Sequence, residues 1–179
     1  QQSKTLSQNL LNHFHNLMNS YPETLKLSKE QQEGILKSLK NSLSVISGGP
    51  GTGKTTIISN FILLILIEII DKNKNLNEAL LRNQLFDFLK GFKLAAPSGR
   101  AAQRLTESIQ KSLENIHLHK LIKKEDKELI FALNVLKEWI SSEKGNSLTI
   151  HRLLGYQGNK NTFFYHLNNK IPAYWIIID

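Results

Sequence analysis

Cysteine is absent from this 179-residue chain. That excludes disulfides and thiolate metal sites, and it fits a reducing cytoplasm. A membrane-spanning run is also lacking. The most apolar stretch, Ile57 to Ile70, holds fourteen residues and is interrupted by Ser59, Asn60 and Glu68, whereas a spanning helix needs about 20. It reads as a buried helix, and no membrane partner is expected. No internal repeat is present, and the excess of Lys, Asn and Ile is spread along the whole chain. Gln1 is not a start methionine, and no charged leader with a small-residue cleavage site follows it. At the other end "AYWIIID" is apolar up to Asp179, and it reads as a strand buried on both faces of a parallel sheet. The expectation is a fragment cut at both ends.

With 40% hydrophobic residues the chain can bury one sizeable core, so one domain with appendages is expected. The net charge of +8 suits a polyanionic partner without identifying one. Along the chain we expect a helix near 4–18, a break at "SYPE", and a second helix at 28–39. Ser28 with Gln31 three residues later forms a capping-box pattern. "LSVIS" at 43–47 reads as a strand, and the apolar helix follows from Lys54. A helix at 77–90, a strand at "FKLAA", and a long helix from "SGRAAQ" come next. The Lys/Glu-rich segment 116–145 has helical period, with Phe131, Leu133, Leu136 and Ile140 on one side, and reads as an excursion from the sheet. "TIHRLLGY" reads as a short turn or helix, and "QGNKNTFFYHLNNKIP" as a polar loop or hairpin. Strands alternating with helices predict an α/β fold with a parallel sheet.

The chemistry is concentrated in "SGGPGTGKTT", residues 47–56. Gly48 and Gly53-Lys54-Thr55 satisfy G-x-x-x-x-G-K-[ST]. Glycines allow backbone conformations closed to other residues and turn successive N–H groups inward around phosphate. The phosphate cradle comprises Gly48, Gly49, Pro50, Gly51, Thr52, Gly53, Lys54, Thr55 and Thr56. Lys54 supplies a positive charge for the β- and γ-phosphates, Thr55 a hydroxyl for Mg²⁺, and the helix start a positive dipole end. ATP with Mg²⁺ is the expected ligand.

Three further stretches decide the reading. "GGPGTGKTT", "LAAPSGRAAQRLTES" and "TIHRLLGY", in this order, resemble motif I, motif Ia and the following DNA-path motif of superfamily 1 DNA helicases. The resemblance is nearest to the RecD family, the alpha subunits of exodeoxyribonuclease V, and it covers about Leu27 to Asp179. "LSKEQ" at 27–31 is similar to the family's Q-motif. The resemblance implies a RecA-like P-loop NTPase fold, a parallel sheet flanked by helices, with residues 27–179 as part of the first motor domain and 1–26 as a helical lead-in. It implies Gln31 as adenine reader and Asp179 as the Walker B aspartate, a second Mg²⁺ ligand beside Thr55 and catalytic with Thr55 and Lys54. On that placement the chain stops inside the active site, and the isolated fragment is expected not to turn over ATP. The implied activity is 5′-to-3′ unwinding in DNA double-strand break repair and recombination. Single-stranded DNA and RecB- and RecC-like subunits are the implied partners, in a bacterial cytoplasm.

The residues agree with a DNA path. Only four arginines occur, and Arg100, Arg104 and Arg152 lie inside the quoted motifs. A guanidinium fork holds phosphate bidentately, and Pro97, Ser98 and Gly99 at a helix start could hold a DNA phosphate with Arg100. Arg104 suits a surface helix equally well, and His151, beside Arg152, suits either a core histidine or a DNA contact. Ser98 stands where the family usually has threonine, and the hydroxyl is retained. His13/His15 and His117/His119 are spaced i, i+2 in expected helices and do not share a face, which disfavours zinc. Phe163, Phe164 and Tyr165 could stack on bases, but a hairpin packed on the core is the expectation. Segments 71–91 and 112–146 exceed a minimal motor domain and read as partner-binding elements or insertions. An AAA-type ATPase and a nucleotide-gated scaffold within a larger DNA-processing complex remain the alternatives.

Overall fold

The computed structural model describes residues 6–21, 26–49, 51–118, 127–143 and 145–179. Its organising element is α3 (Lys54–Lys72), which α1 (Gln8–Ser20), α2 (Lys29–Lys40), α5 (Gly99–Leu118) and α6 (Lys127–Ser141) all pack against. A helix contacted from so many sides must be apolar nearly all round. Accordingly Ile62, Leu63, Leu64 and Leu66 are fully buried, each worth about 1.5–3 kcal/mol relative to exposure. Two buried polar residues in that helix bond back to its own carbonyls: Ser59 Oγ donates to Thr55 O at 3.0 Å and Asn60 Nδ2 to Thr56 O at 2.8 Å.

Caps fix where the surrounding helices begin. Ser7 Oγ accepts from Leu10 N, and α1 buries Phe14, Leu17 and Met18 at helical spacing. Ser28 and Gln31 form the expected capping box of α2. Asn77 Oδ1 accepts from Leu80 N at 2.9 Å to start α4 (Glu78–Leu89). The charged segment read as an excursion is instead part of the core. In α6 Leu129, Leu133, Leu136, Trp139 and Ile140 are buried, and the helix packs on α3, α4 and α5. Its polar residues occupy the opposite side, which is what the sequence alone reads as a solvated appendage. Residues 119–126 within that segment, including His119, lie outside the described residues.

The sheet is parallel, in the order β2-β1-β5, built from β1 (Phe92–Ala96), β2 (Leu148–Thr149) and β5 (Trp175–Ile178). Ala96 pairs with Thr149, and Ala95 with both Leu148 and Ile178. Helices flank this sheet, the arrangement of a RecA-like P-loop fold. Between β2 and β5 come the short α7 (Ile150–Leu153) and an antiparallel hairpin of β3 (Tyr156–Gln157) and β4 (Thr162–Phe163).

Two expectations fail here. Residues 43–47 are not a strand: the segment is irregular, with Leu43 and Val45 exposed. Serines alternate with its apolar residues, and no described strand pairs with it. The closing strand is also not buried on both faces. Trp175 packs edge-on against Phe61 and stacks on Phe92, and Ile177 packs on the core, while Ile176 and Ile178 are exposed. Among the described residues β5 pairs with β1 alone, and Phe61 of α3 covers the face that carries Trp175 while the face that carries Ile176 and Ile178 is open, so burial alternates along an apolar run.

Candidate nucleotide-binding site

The phosphate loop connects the irregular segment to α3. Gly51 and Gly53 have φ of 77° and 82°, in the left-handed region that favours glycine. Gly53 is the residue before the helix, and it offers no side-chain cap. The first N–H groups of α3 are therefore left for an external acceptor, at the positive end of a 19-residue helix. Two close approaches fix the cradle. A Cβ on Gly53 would meet Gln31 Nε2 at 2.3 Å, and one on Gly48 would meet Thr52 Oγ1 at 2.5 Å. Only glycine fits either place without displacing its neighbour, and the space is what a phosphate-binding loop requires.

Lys54 folds back over the loop, and its Nζ donates to Gly48 O at 2.7 Å and Gly49 O at 3.1 Å. Those bonds hold the ammonium against the ring of loop amides, and an anion seated there would meet both. Thr52 closes the turn, its hydroxyl donating to Gly49 O at 2.9 Å. Pro50 lies outside the described residues. Thr55 Oγ1 accepts a hydrogen bond from Ser108 Oγ at 3.1 Å, across 53 residues. Thr56 lines a separate small cavity with Tyr21, Asn60 and Asn115.

Gln31 does more than cap its helix. Its Oε1 accepts from Ser28 N, and its Nε2 donates to Thr52 O, both at 2.9 Å. The side-chain amide therefore braces the phosphate loop. The capping box is legible in sequence; this bracing contact needs α2 and the loop side by side. Ser108 is another residue that sequence reasoning passed over, and the only prior signal was its position two helical turns beyond Arg100.

The remaining candidate residues gather at the carboxyl ends of the parallel strands, where open α/β sheets bind ligands. Asp179 N donates to Ala95 O at 3.0 Å, extending the ladder, so Asp179 sits just past β5. It shares a groove with Lys54, Ile46, Trp175 and Ile177. Pro97 and Ser98 follow β1, and Ser98 Oγ accepts from Ala101 N at 3.2 Å, capping α5. Gly99 and Arg100 open that helix and are exposed. His151 and Arg152 follow β2 in α7, where Thr149 Oγ1 accepts from Arg152 N at 3.2 Å. Ser98 and His151 each stand two residues beyond a paired position, Ala96 and Thr149, so both follow the carboxyl ends of neighbouring strands. Arg100, Arg104 and Ser108 recur at i, i+4 and i+8 along one side of α5, and all are exposed.

His151 is exposed, which removes the core-histidine alternative. Its ring meets Tyr156 edge-on at 5.7 Å and Phe163 at 6.1 Å. The hairpin does not pack on the core as expected, since Tyr156, Phe163 and Phe164 are exposed. Its aromatic rings pack on one another and on His151 instead, on a two-residue ladder with little apolar area of its own.

The donor set fits a magnesium nucleotide. Loop amides and Lys54 suit phosphate, and the Thr55 hydroxyl and Asp179 carboxylate are hard oxygen ligands of the kind Mg²⁺ takes. Among the described residues no helix is long and apolar enough to cross a membrane.

The chain is similar in sequence to known proteins. The RecBCD enzyme subunit RecD of Haemophilus influenzae is 27% identical over 159 residues, 89% of this chain and 20% of that protein. The RecBCD enzyme subunit RecD of Buchnera aphidicola subsp. Schizaphis graminum is 29% identical over 173 residues, 97% of this chain and 22% of that protein. The RecD subunit of Mycolicibacterium smegmatis is 28% identical over 152 residues, covering 84% and 22%. The chain spans about a fifth of the length of these curated relatives. A family model described as AAA domain matches residues 31–179, from the glutamine that braces the loop to the aspartate past β5, and the chain belongs to that AAA domain family.

Proposed function

We propose that this chain is the nucleotide-binding part of the first motor domain of an ATP-dependent DNA helicase. Residues 27–179 belong to that domain and 1–26 lead into it. The parent protein is an alpha subunit of exodeoxyribonuclease V that unwinds 5′ to 3′ in double-strand break repair and recombination. It acts in the bacterial cytoplasm with RecB- and RecC-like subunits. The observation that carries this reading is the glycine-built loop with Lys54 folded over it, at the start of a buried helix and braced by Gln31.

Each residue then has a task. The N–H groups of Gly49, Gly51 and Gly53 and of the first turn of α3 bind the phosphates. Lys54 places positive charge where the transferring phosphoryl group carries negative charge. Thr55 and Asp179 hold Mg²⁺, which when bound neutralises phosphate charge as a Lewis acid. Gln31 keeps the loop in register and reads adenine as the nucleotide enters. Ser98, Arg100 and Arg152, with Pro97, Gly99 and His151, grip the phosphates of single-stranded DNA without reading sequence. The similarity to RecD subunits supports this assignment over an unrelated ATPase.

The test is unwinding by the full-length protein with its partner subunits. Forked DNA with a 5′ tail should be opened with ATP and Mg²⁺, and DNA with only a 3′ tail should not be opened by this subunit. ATP hydrolysis that ignores DNA would contradict the helicase reading.

A further inference from the structure

Thr55 is the second residue of α3, where a threonine hydroxyl has competing places to turn. In a helix its χ1 splits between two rotamers, because Oγ1 can bond the carbonyl three or four residues back. One of those rotamers serves a cation at the phosphate loop. The structure gives the hydroxyl a partner from outside its own helix, Ser108 Oγ on α5, donating at 3.1 Å. That direction matters chemically. A hydroxyl offers one donor and two acceptor lone pairs. The bond from Ser108 uses one lone pair of Thr55 Oγ1, and leaves the other lone pair for a cation and the O–H for a phosphate oxygen. A partner that only accepted would take the proton and leave the phosphate oxygen without its donor.

We infer that Ser108 is a positioning residue that sets the Thr55 hydroxyl to receive Mg²⁺, an inference resting on the nucleotide-binding reading above. Nothing else explains the contact through stability. Ser108 is exposed, the apolar side of α5 that packs on α3 is formed by Leu105, Ile109 and Leu113, and alanine is a better helix former than serine at such a site. Ser108 also lies on the same side of α5 as Arg104 and Arg100, so the helix capped by Ser98 reaches the Thr55 hydroxyl in its third turn.

The test uses the full-length protein, a fluorescent ADP analogue and a Mg²⁺ titration. In Ser108→Ala the Mg²⁺ concentration that half-saturates the gain in nucleotide affinity should rise about three- to tenfold, the effect of one hydrogen bond. Affinity in EDTA and the thermal midpoint should stay unchanged. Ser108→Thr, which keeps the hydroxyl, should restore the parent value. Equal Mg²⁺ dependence in the parent and Ser108→Ala overturns the role of Ser108 alone, and so does failure of Ser108→Thr to rescue. A parent protein whose nucleotide affinity ignores Mg²⁺, or that binds no nucleotide, overturns the nucleotide-binding reading and this inference together.

Discussion

Gln31 Nε2 donates to the carbonyl oxygen of Thr52 at 2.9 Å, joining α2 to the phosphate loop. The same amide closes the capping box through Ser28 N. One side chain therefore fixes a helix start and the shape of a ligand loop.

Gln31→Ala removes both bonds. Ser28 Oγ still accepts from the backbone N–H of residue 31, so losing the reciprocal half of the capping box should cost about 0.5–1.5 kcal/mol of stability, read as a shift in urea midpoint. Nucleotide affinity should fall as well, because the loop then samples other shapes. Gln31→Glu keeps the cap acceptor and loses the donor to Thr52, so it should retain stability and still bind nucleotide less tightly. Equal affinity in Gln31→Glu and the parent would show that the bracing bond does nothing for the loop.

Tyr21 follows α1 and is buried, with its hydroxyl donating to Asn60 Oδ1 in the fully buried part of α3. Burial pushes the phenol well above its ordinary value, outweighing the opposite pull of Asn60, so it stays neutral at any working pH. Tyr21→Phe would leave the Asn60 oxygen unsatisfied and should cost about 1–3 kcal/mol in denaturant unfolding. A smaller loss from Tyr21→Phe than from exposed substitutions such as Tyr174→Phe would contradict the arrangement.

Lys74 bridges α3 to α6, contacting Asp71 Oδ1 at 2.6 Å and Glu128 Oε1 at 3.2 Å. The Lys74 hydrogen bond, more than the nearby His13, holds Asp71 below the usual carboxylate value, and Asp71 with Glu128 holds Lys74 above the usual ammonium value. A depressed carboxylate contributes stability above its unfolded value, and loses it as pH falls through the folded one. A raised ammonium contributes below its unfolded value, and loses it as pH rises through the folded one. Lys74→Met should therefore be less stable than the parent at pH 7, with the gap closing as pH falls below the ordinary carboxylate range and again as it rises above the ordinary lysine range. Lys74 is exposed, so the gap should also shrink in high salt. A gap independent of pH would show that the bridge does not carry it.

Arg100→Ala in the full-length protein should weaken single-stranded DNA binding to a similar degree for every sequence tested. Its salt dependence should flatten by about one phosphate contact. Loss confined to one base sequence would contradict a backbone grip.

Much of this was legible in the chain. The glycines at 48–53, the lysine at 54 and the apolar period of Ile57–Ile70 speak through local chemistry, so the loop and the buried helix are readable without coordinates. The start of α2 follows from Ser28 in the same way, whereas α1, expected near 4–18, begins at Gln8 behind the Ser7 cap. What sequence could not supply is pairing. Residues 43–47 and 175–178 carry similar apolar runs, yet β5 finds β1 while 43–47 finds no strand among the described residues. The apolar side of α6 was legible, since Leu133, Leu136 and Ile140 are buried, but what it packs against was not, because a free amphipathic helix carries the same pattern. The Ser108–Thr55 and Gln31–Thr52 bonds span 53 and 21 residues, and no local pattern announces them.

Equilibrium binding of Mg²⁺–nucleotide to the full-length protein, parent against Lys54→Ala, tests the central claim most directly. Lys54 Nζ lies on Gly48 O and Gly49 O, at the loop, and Lys54 is not among the core residues. The account predicts an unchanged unfolding midpoint, nucleotide affinity reduced by at least about tenfold, and DNA-stimulated hydrolysis lowered by about a hundredfold or more. Affinity and turnover equal to the parent's would contradict the assignment of residues 48–55 as the phosphate-binding loop.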